Sequence, residues 1–144
     1  MWDANGMIQI LPTPDSFYNN DVRGVNYDGS KIVGSSTRLS LDGSSLPSAA
    51  ALWSDGVWQE LVPVPGAFAN YAYSIDADGS VVVGTSDEAA IWINGAPAQT
   101  IRRLFEDAGH DLTGWHLYEA LNVSSDGRVV VGRGSYEGRD QVWI

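Results

Sequence analysis

The chain has no cysteine, and only two histidines and two methionines among its 144 residues. Without cysteine there is no disulfide framework, no thiolate metal site and no Cys nucleophile. Basic residues are scarce too: 8 Lys and Arg stand against 18 Asp and Glu, a formal net charge of −10. Such a surface repels a phosphate backbone, which argues against a nucleic-acid partner. No apolar run approaches the roughly 20 residues of a membrane-spanning helix, and no basic-then-apolar signal segment opens the chain. Membrane insertion is therefore not expected. Charged residues make up 18% and hydrophobic ones 44%, a balance that favours a folded chain over a disordered one. With 16 Gly and 6 Pro, a helical bundle is disfavoured. The length suits one compact domain, or a few repeats sharing a core.

What the sequence does contain is repetition. Three segments read nearly alike: Val25-Asn26-Tyr27-Asp28-Gly29-Ser30-Lys31-Ile32-Val33-Gly34, then Ile75 to Gly84, then Val123 to Gly132. A period near 50 residues across the chain points to a repeat architecture. A second motif alternates with the first. It is carried by Ala50-Ala51-Leu52-Trp53-Ser54-Asp55-Gly56 and Ala89-Ala90-Ile91-Trp92-Ile93-Asn94-Gly95, with partial copies at Trp2 to Gly6 and Gln141-Val142-Trp143-Ile144. Leu11-Pro12-Thr13-Pro14 and Val62-Pro63-Val64-Pro65 suit rigid crossings between units, because proline cannot donate to a central ladder.

Each Asp-Gly or Asn-Gly pair lies between apolar runs, a hairpin signal for tight primed turns with positive φ. Runs such as Val81-Val82-Val83 are β-branched and continuous, as expected of strands covered on both faces. Gly34, Gly84 and Gly132 would permit a bulge or a close backbone approach. Each period then holds about four short strands, the size of a β-propeller blade. Two insertions interrupt the pattern. Ser35 to Ala49, with its Asp42-Gly43, reads as a protruding loop or extra hairpin. Thr100 to Gly109 reads as a helix: Ile101, Leu104, Phe105 and Ala108 share one face, Thr100 is placed to N-cap it, and Gly109 to follow its last turn.

The alternation of these two motifs resembles the bacterial HAF-type extracellular repeat. It is carried here by Ile75 to Gly84 and Ala90 to Gly95 and by their counterparts. The His-Ala-Phe tripeptide behind the family name is missing, with Ala50-Ala51-Leu52 and Ala89-Ala90-Ile91 in its place. The resemblance implies a propeller-like repeat and an extracellular or cell-surface location. It transfers no catalytic residue.

The fold expected is all-β: three four-stranded propeller-like blades with terminal-strand closure and one short helix. The chain reads as a single repeat domain, 1–144, with units of about 12–61, 62–101 and 102–144 plus 1–11. The third unit ends at Trp143-Ile144 without its last strand, and Gly6 to Leu11 is a strand without the rest of its unit. Pairing them would cover two open edges. Two chains exchanging these strands would form a six-bladed propeller with two-fold symmetry, the arrangement favoured here. A three-unit closure within one chain, and a place in a longer array, are the alternatives.

Chemistry-bearing motifs are weak. Asp76-Ala77-Asp78-Gly79 looks like the opening of a calcium loop, but the twelfth position is Asp87 rather than Glu, so a turn is the simpler reading. His110 and His116 are six apart, with no third ligand standing out. Thirteen Asp fall mainly in turns, and the five Glu follow no repeat pattern. There is no Gly-x-Ser-x-Gly elbow, no Ser-x-x-Lys pair and no phosphate loop. Trp2, Trp53, Trp92 and Trp143 share one repeat position, which marks them as core. Trp58, Trp115, Tyr71, Tyr73 and Phe68 are less constrained and are the candidate ligand-binding aromatics. No metal or cofactor is expected. The function expected is a non-enzymatic interaction or ligand-binding module with a protein or glycan ligand. The alternatives are a glycan-active hydrolase or lyase using a propeller centre, and a structural spacer.

Overall fold

A computed structural model describes residues 8–38, 40 and 46–144. The fold is mostly β, as three antiparallel sheets and one short helix. The first sheet joins β1 (Phe17–Val25), β2 (Lys31–Arg38), β3 (Ser48–Ser54) and β4 (Val57–Glu60) in chain order. The second joins β5 (Asn70–Ile75), β6 (Val81–Ser86), β7 (Glu88–Ile93) and β8 (Gln99–Thr100) in the same way. The third has only three strands, β9 (Trp115–Val123), β10 (Val130–Tyr136) and β11 (Arg139–Trp143), with β10 in the middle. The helix α1 (Ile101–Asp107) lies between the second and third sheets in sequence. No helix among the described residues is long and apolar enough to cross a membrane.

The two turn motifs fold differently. Asp55-Gly56 and Asn94-Gly95 have positive φ at both residues, the requirement of a type I′ hairpin. The Asp-Gly turns of the other motif have positive φ only at Gly29, Gly79 and Gly127. There the glycine N–H closes a turn onto the carbonyl three residues back, at Asn26, Asp76 and Ser124. These are type I turns with a left-handed glycine, not the primed turns expected, because the carboxylate supplies local acceptors. Asp78 Oδ1 accepts from the Ser80 N–H at 2.8 Å, and Asp76 Oδ1 from the Val81 N–H at 3.0 Å. Both carboxylates of the calcium-like motif are thus used inside the turn.

The glycine that ends each valine run has a steric purpose. A Cβ at Gly34 would overlap the Asp21 carbonyl oxygen, and one at Gly84 the Tyr71 carbonyl oxygen. One at Gly132 would strike the Glu119 carbonyl and the Trp143 ring. Opposite each glycine the first strand of its sheet bulges, with Arg23, Tyr73 and Leu121 as the extra residues. Such a bulge re-aims a side chain out of the regular alternation.

The sheets stack face on face. Val33, Ala50 and Leu52 of the first sheet meet Ala72, Ile75, Val82, Ala90 and Trp92 of the second. Val81, Val83, Ala89 and Ile91, on the other side of the second sheet, meet Leu117, Ala120, Val123, Val130 and Trp143 of the third. Each sheet therefore has a leading face that carries the repeated Trp and a trailing face that does not. Trp53 and Trp92 are among the most buried large side chains, and their indole N–H groups donate to the Pro12 and Val62 carbonyls at 2.7 and 2.9 Å. Trp2 lies outside the described residues.

That pairing also sets the true offset of the crossings. Pro12 is equivalent to Val62, so the prolines of the two crossings stand one position out of structural register. Of the long Ser35 to Ala49 connection, residues 35–38 belong to β2 and 48–49 to β3, which pair as far as Thr37 opposite Ser48. Asp42-Gly43 lies outside the described residues. The helix forms as its signals require. Thr100 Oγ1 accepts from the Arg103 N–H at 3.2 Å, and Gly109 at φ +85° closes the end, with the His110 N–H donating to the Phe105 carbonyl. Of its apolar face only Ile101 is buried, while Phe105 is exposed against His110.

Residues 8–11 do not complete the third sheet within the chain. Leu11 packs on Ile32, Ala51 and Trp53 of the first sheet, and β11 has β10 as its ladder partner. Residues 1–7, which hold the rest of the expected closing strand, lie outside the described residues.

Candidate functional site

The first strands of the three sheets, β1, β5 and β9, are neighbours and form one inner row. The bulges aim their extra residues along this row. The Tyr73 ring has two neighbours: the Tyr71 ring lies parallel to it at 6.4 Å with 9° between planes, and the Arg23 guanidinium lies over it, 5.8 Å from its centroid. The Tyr73 hydroxyl donates to Glu119 Oε1 on β9 at 2.9 Å. Arg133, on β10, pairs with the other oxygen of Glu119. Arg23 in turn pairs with Asp21 at 2.5 Å. Asp21, Arg23, Tyr73, Glu119 and Arg133 form a continuous strip across all three sheets. Nearer the turns, Ser74 Oγ donates to Asn122 Oδ1 at 2.7 Å.

The electrostatics of the strip are settled by these contacts. Burial, and then the bond to Glu119, push the Tyr73 hydroxyl above the usual phenol range, so it stays protonated and donates. The hydrogen bond from Arg133 holds the Glu119 carboxyl below its ordinary range, so it stays ionised. Asp28, Asp78, Asp111 and Asp126 are displaced in the same downward direction by bonds from Ser30, Ser80, Thr113 and Ser124. A glycosidase acid needs the opposite, a carboxyl raised so that it carries a proton near neutrality. The strip is built to hold charges in fixed places. Among the described residues no cluster of three or more His, Asp and Glu is placed to hold a metal ion.

The five aromatics singled out in the sequence do not converge. Tyr71 and Tyr73 sit together in the inner row. Trp58 is half-buried on β4, with its ring 4.7 Å from Phe17 and its N–H on Ser36 Oγ at 3.1 Å. Trp115 opens β9 against Tyr136, 5.1 Å between centroids. Phe68 is exposed in the loop before β5, where its backbone N–H and that of Ala69 bond the Asp87 carboxylate at 2.9 and 2.7 Å. Arg23, Glu119 and Arg133 were not singled out. Their signal is a broken repeat: Arg133 stands where Ser35 and Thr85 stand, and Arg23, Tyr73 and Leu121 occupy one bulge position with three different chemistries.

Comparison with protein-family models, with curated proteins and with solved structures finds no match for this chain.

Proposed function

We infer that the chain is a propeller-like, HAF-type interaction module that works outside the cell or at its surface and binds its ligand along the inner row without transforming it. The observation that carries this reading is the Arg23–Tyr73–Glu119–Arg133 strip. It joins a neutral phenol, an ionised carboxylate and guanidinium groups in one pre-arranged line, and it lacks the raised carboxyl of an acid catalyst. Tyr73 is already engaged by Arg23 over its ring and by Glu119 at its hydroxyl, so the half-buried Tyr71 ring is the face on which an incoming ring or side chain would stack.

The test is a fluorescence titration of the whole chain with a glycan panel and, separately, with basic peptides suited to its net negative charge. A saturable change that Tyr71→Ala abolishes supports the reading and tells glycan from protein ligand. An unmoved signal with both panels overturns it, and release of new reducing or unsaturated sugar ends would favour the hydrolase or lyase instead. A structural unit of a larger array is the second reading, favoured by the apolar surface left open at both ends of the stack.

A further inference from the structure

The two ends of the stack carry the same residues that are buried inside it. On trailing faces, Val33 and Val83 are 0% exposed, yet their equivalent Val131 is 38% exposed and Val142 beside it is 83% exposed. On leading faces, Ile75 is 7% exposed, yet its equivalent Val25 is 58% exposed. Val22, Val25 and Ile32 line a hollow of about 320 Å³ on the first sheet. In the interior, the equivalent place on the second sheet, at Ala72, Ile75 and Val82, lies against Val33 of the sheet before it. The face that covers a leading face is thus the trailing face of a preceding sheet.

Two backbone features share this polarity. The Tyr27 N–H donates to the Ala77 carbonyl at 3.3 Å, and the Ala77 N–H to the Ser125 carbonyl at 3.0 Å. These residues are equivalent, so the bonds run turn to turn and leave the Ser125 N–H and the Tyr27 carbonyl as the unused ends among the described residues. Among the described residues, the edge of β11 away from β10 has no strand partner either. By the repeat, residues 8–10 correspond to β4, which pairs with β3, and β11 corresponds to β3. The pairing of Leu52 with Gln59 then maps to Val142 with Gln9. Ile8 and Ile10 are both 88% exposed.

From these complementary ends we propose that two copies of the chain close on each other: the trailing face of each third sheet covers the first sheet of its partner, and residues 8–10 of each add the missing strand to β11 of the other. Val131 enters the hollow lined by Val22, Val25 and Ile32, and the Ser125 N–H meets the partner copy's first turn. The contact is confined to the turn-proximal part of the sheet, where Val129, Val131, Val142 and Ile144 lie. Farther from the turns, Arg133 and Asp140 replace the Thr85 and Ala89 of the second sheet, and a charged rim takes over. Repeated about a two-fold axis, the contact satisfies both ends of both copies and gives six sheets, within the usual range of closed propellers.

Sedimentation of the full chain should give twice the 15.5 kDa of one copy, without further growth on concentration. Val131→Asp, at a position exposed within the single chain, should yield a monomer with unchanged circular dichroism. Val57→Asp, exposed on β4 away from the contact, should remain dimeric. Because the chain has no native cysteine, Gln9→Cys with Val142→Cys gives an unambiguous cross-link, which should join two chains on oxidation. A monomer at every concentration, a dimer indifferent to Val131→Asp, a cross-link within one chain, or species that grow without limit would each overturn the proposal.

Discussion

The second and third repeats share a motif and meet their surroundings differently. In the second, the chain leaves β4 through Val62-Pro63, and the Val62 carbonyl turns to the indole N–H of Trp92. In the third, the equivalent position after β8 is Arg102, which lies inside α1. A helical carbonyl there is directed to the backbone four residues on. The Trp143 N–H is left buried without a partner among the described residues. The lesson is that one repeated Trp can have two energetic roles. In the second repeat it is packing plus an anchor for the crossing, and in the third it is packing alone.

Two experiments probe this contrast and a third probes what the repeats share, beginning with the largest effect. Trp92→Ala should cost about 4 kcal/mol in urea unfolding, and Trp143→Ala about half as much, because the second ring is only half-buried. Equal losses would erase the distinction. A subtler change separates the hydrogen bond from the ring. Trp92→Phe should cost about 2 kcal/mol, since it strands the Val62 carbonyl, while Trp143→Phe should cost under about 1 kcal/mol because it removes an unpaired N–H. A larger loss at Trp143 would mean that its N–H has a partner after all.

The smallest effect concerns the turns that all three repeats share. The Asp28, Asp78 and Asp126 carboxyls are held below their ordinary range by bonds from Ser30, Ser80 and Ser124. Depressed acids stabilise the fold above their unfolded pKa of about 3.9, and that contribution is lost as pH falls through the folded values. Unfolding free energy should therefore decline below about pH 4. In Asp78→Asn, which keeps an acceptor but cannot titrate, the drop between pH 7 and pH 3 should be slightly smaller. An identical drop in both proteins would show that this turn does not contribute to acid sensitivity.

Much of this arrangement can be read before any coordinates. The three Asp-Gly turns, the strands around them, the helix with its Thr100 cap and Gly109 stop, and the bulges behind Gly34 and Gly84 all follow from local rules. Turn type was less legible, because the Asp side chain competes with the primed geometry that Asp-Gly also permits. The register of the two crossings was not legible either, since proline spacing tracks the loop while Trp hydrogen bonding, to Pro12 in one and Val62 in the other, tracks the sheet. Of the candidate site, Tyr71 and Tyr73 were legible as aromatics outside the repeat. Arg23, Glu119 and Arg133 were not, because they lie tens of residues from Tyr73 and only the stacking of sheets brings them to it.

Local order, then, was set by the sequence alone: periodic glycines and β-branched runs dictate backbone conformation over a few residues, and those demands do not depend on what packs outside. Which side chains meet across sheets was decided only by tertiary structure. The same valine is buried in one copy of the repeat and bare in another, because burial belongs to a residue's neighbours and the first and last sheets lack one neighbour within the chain.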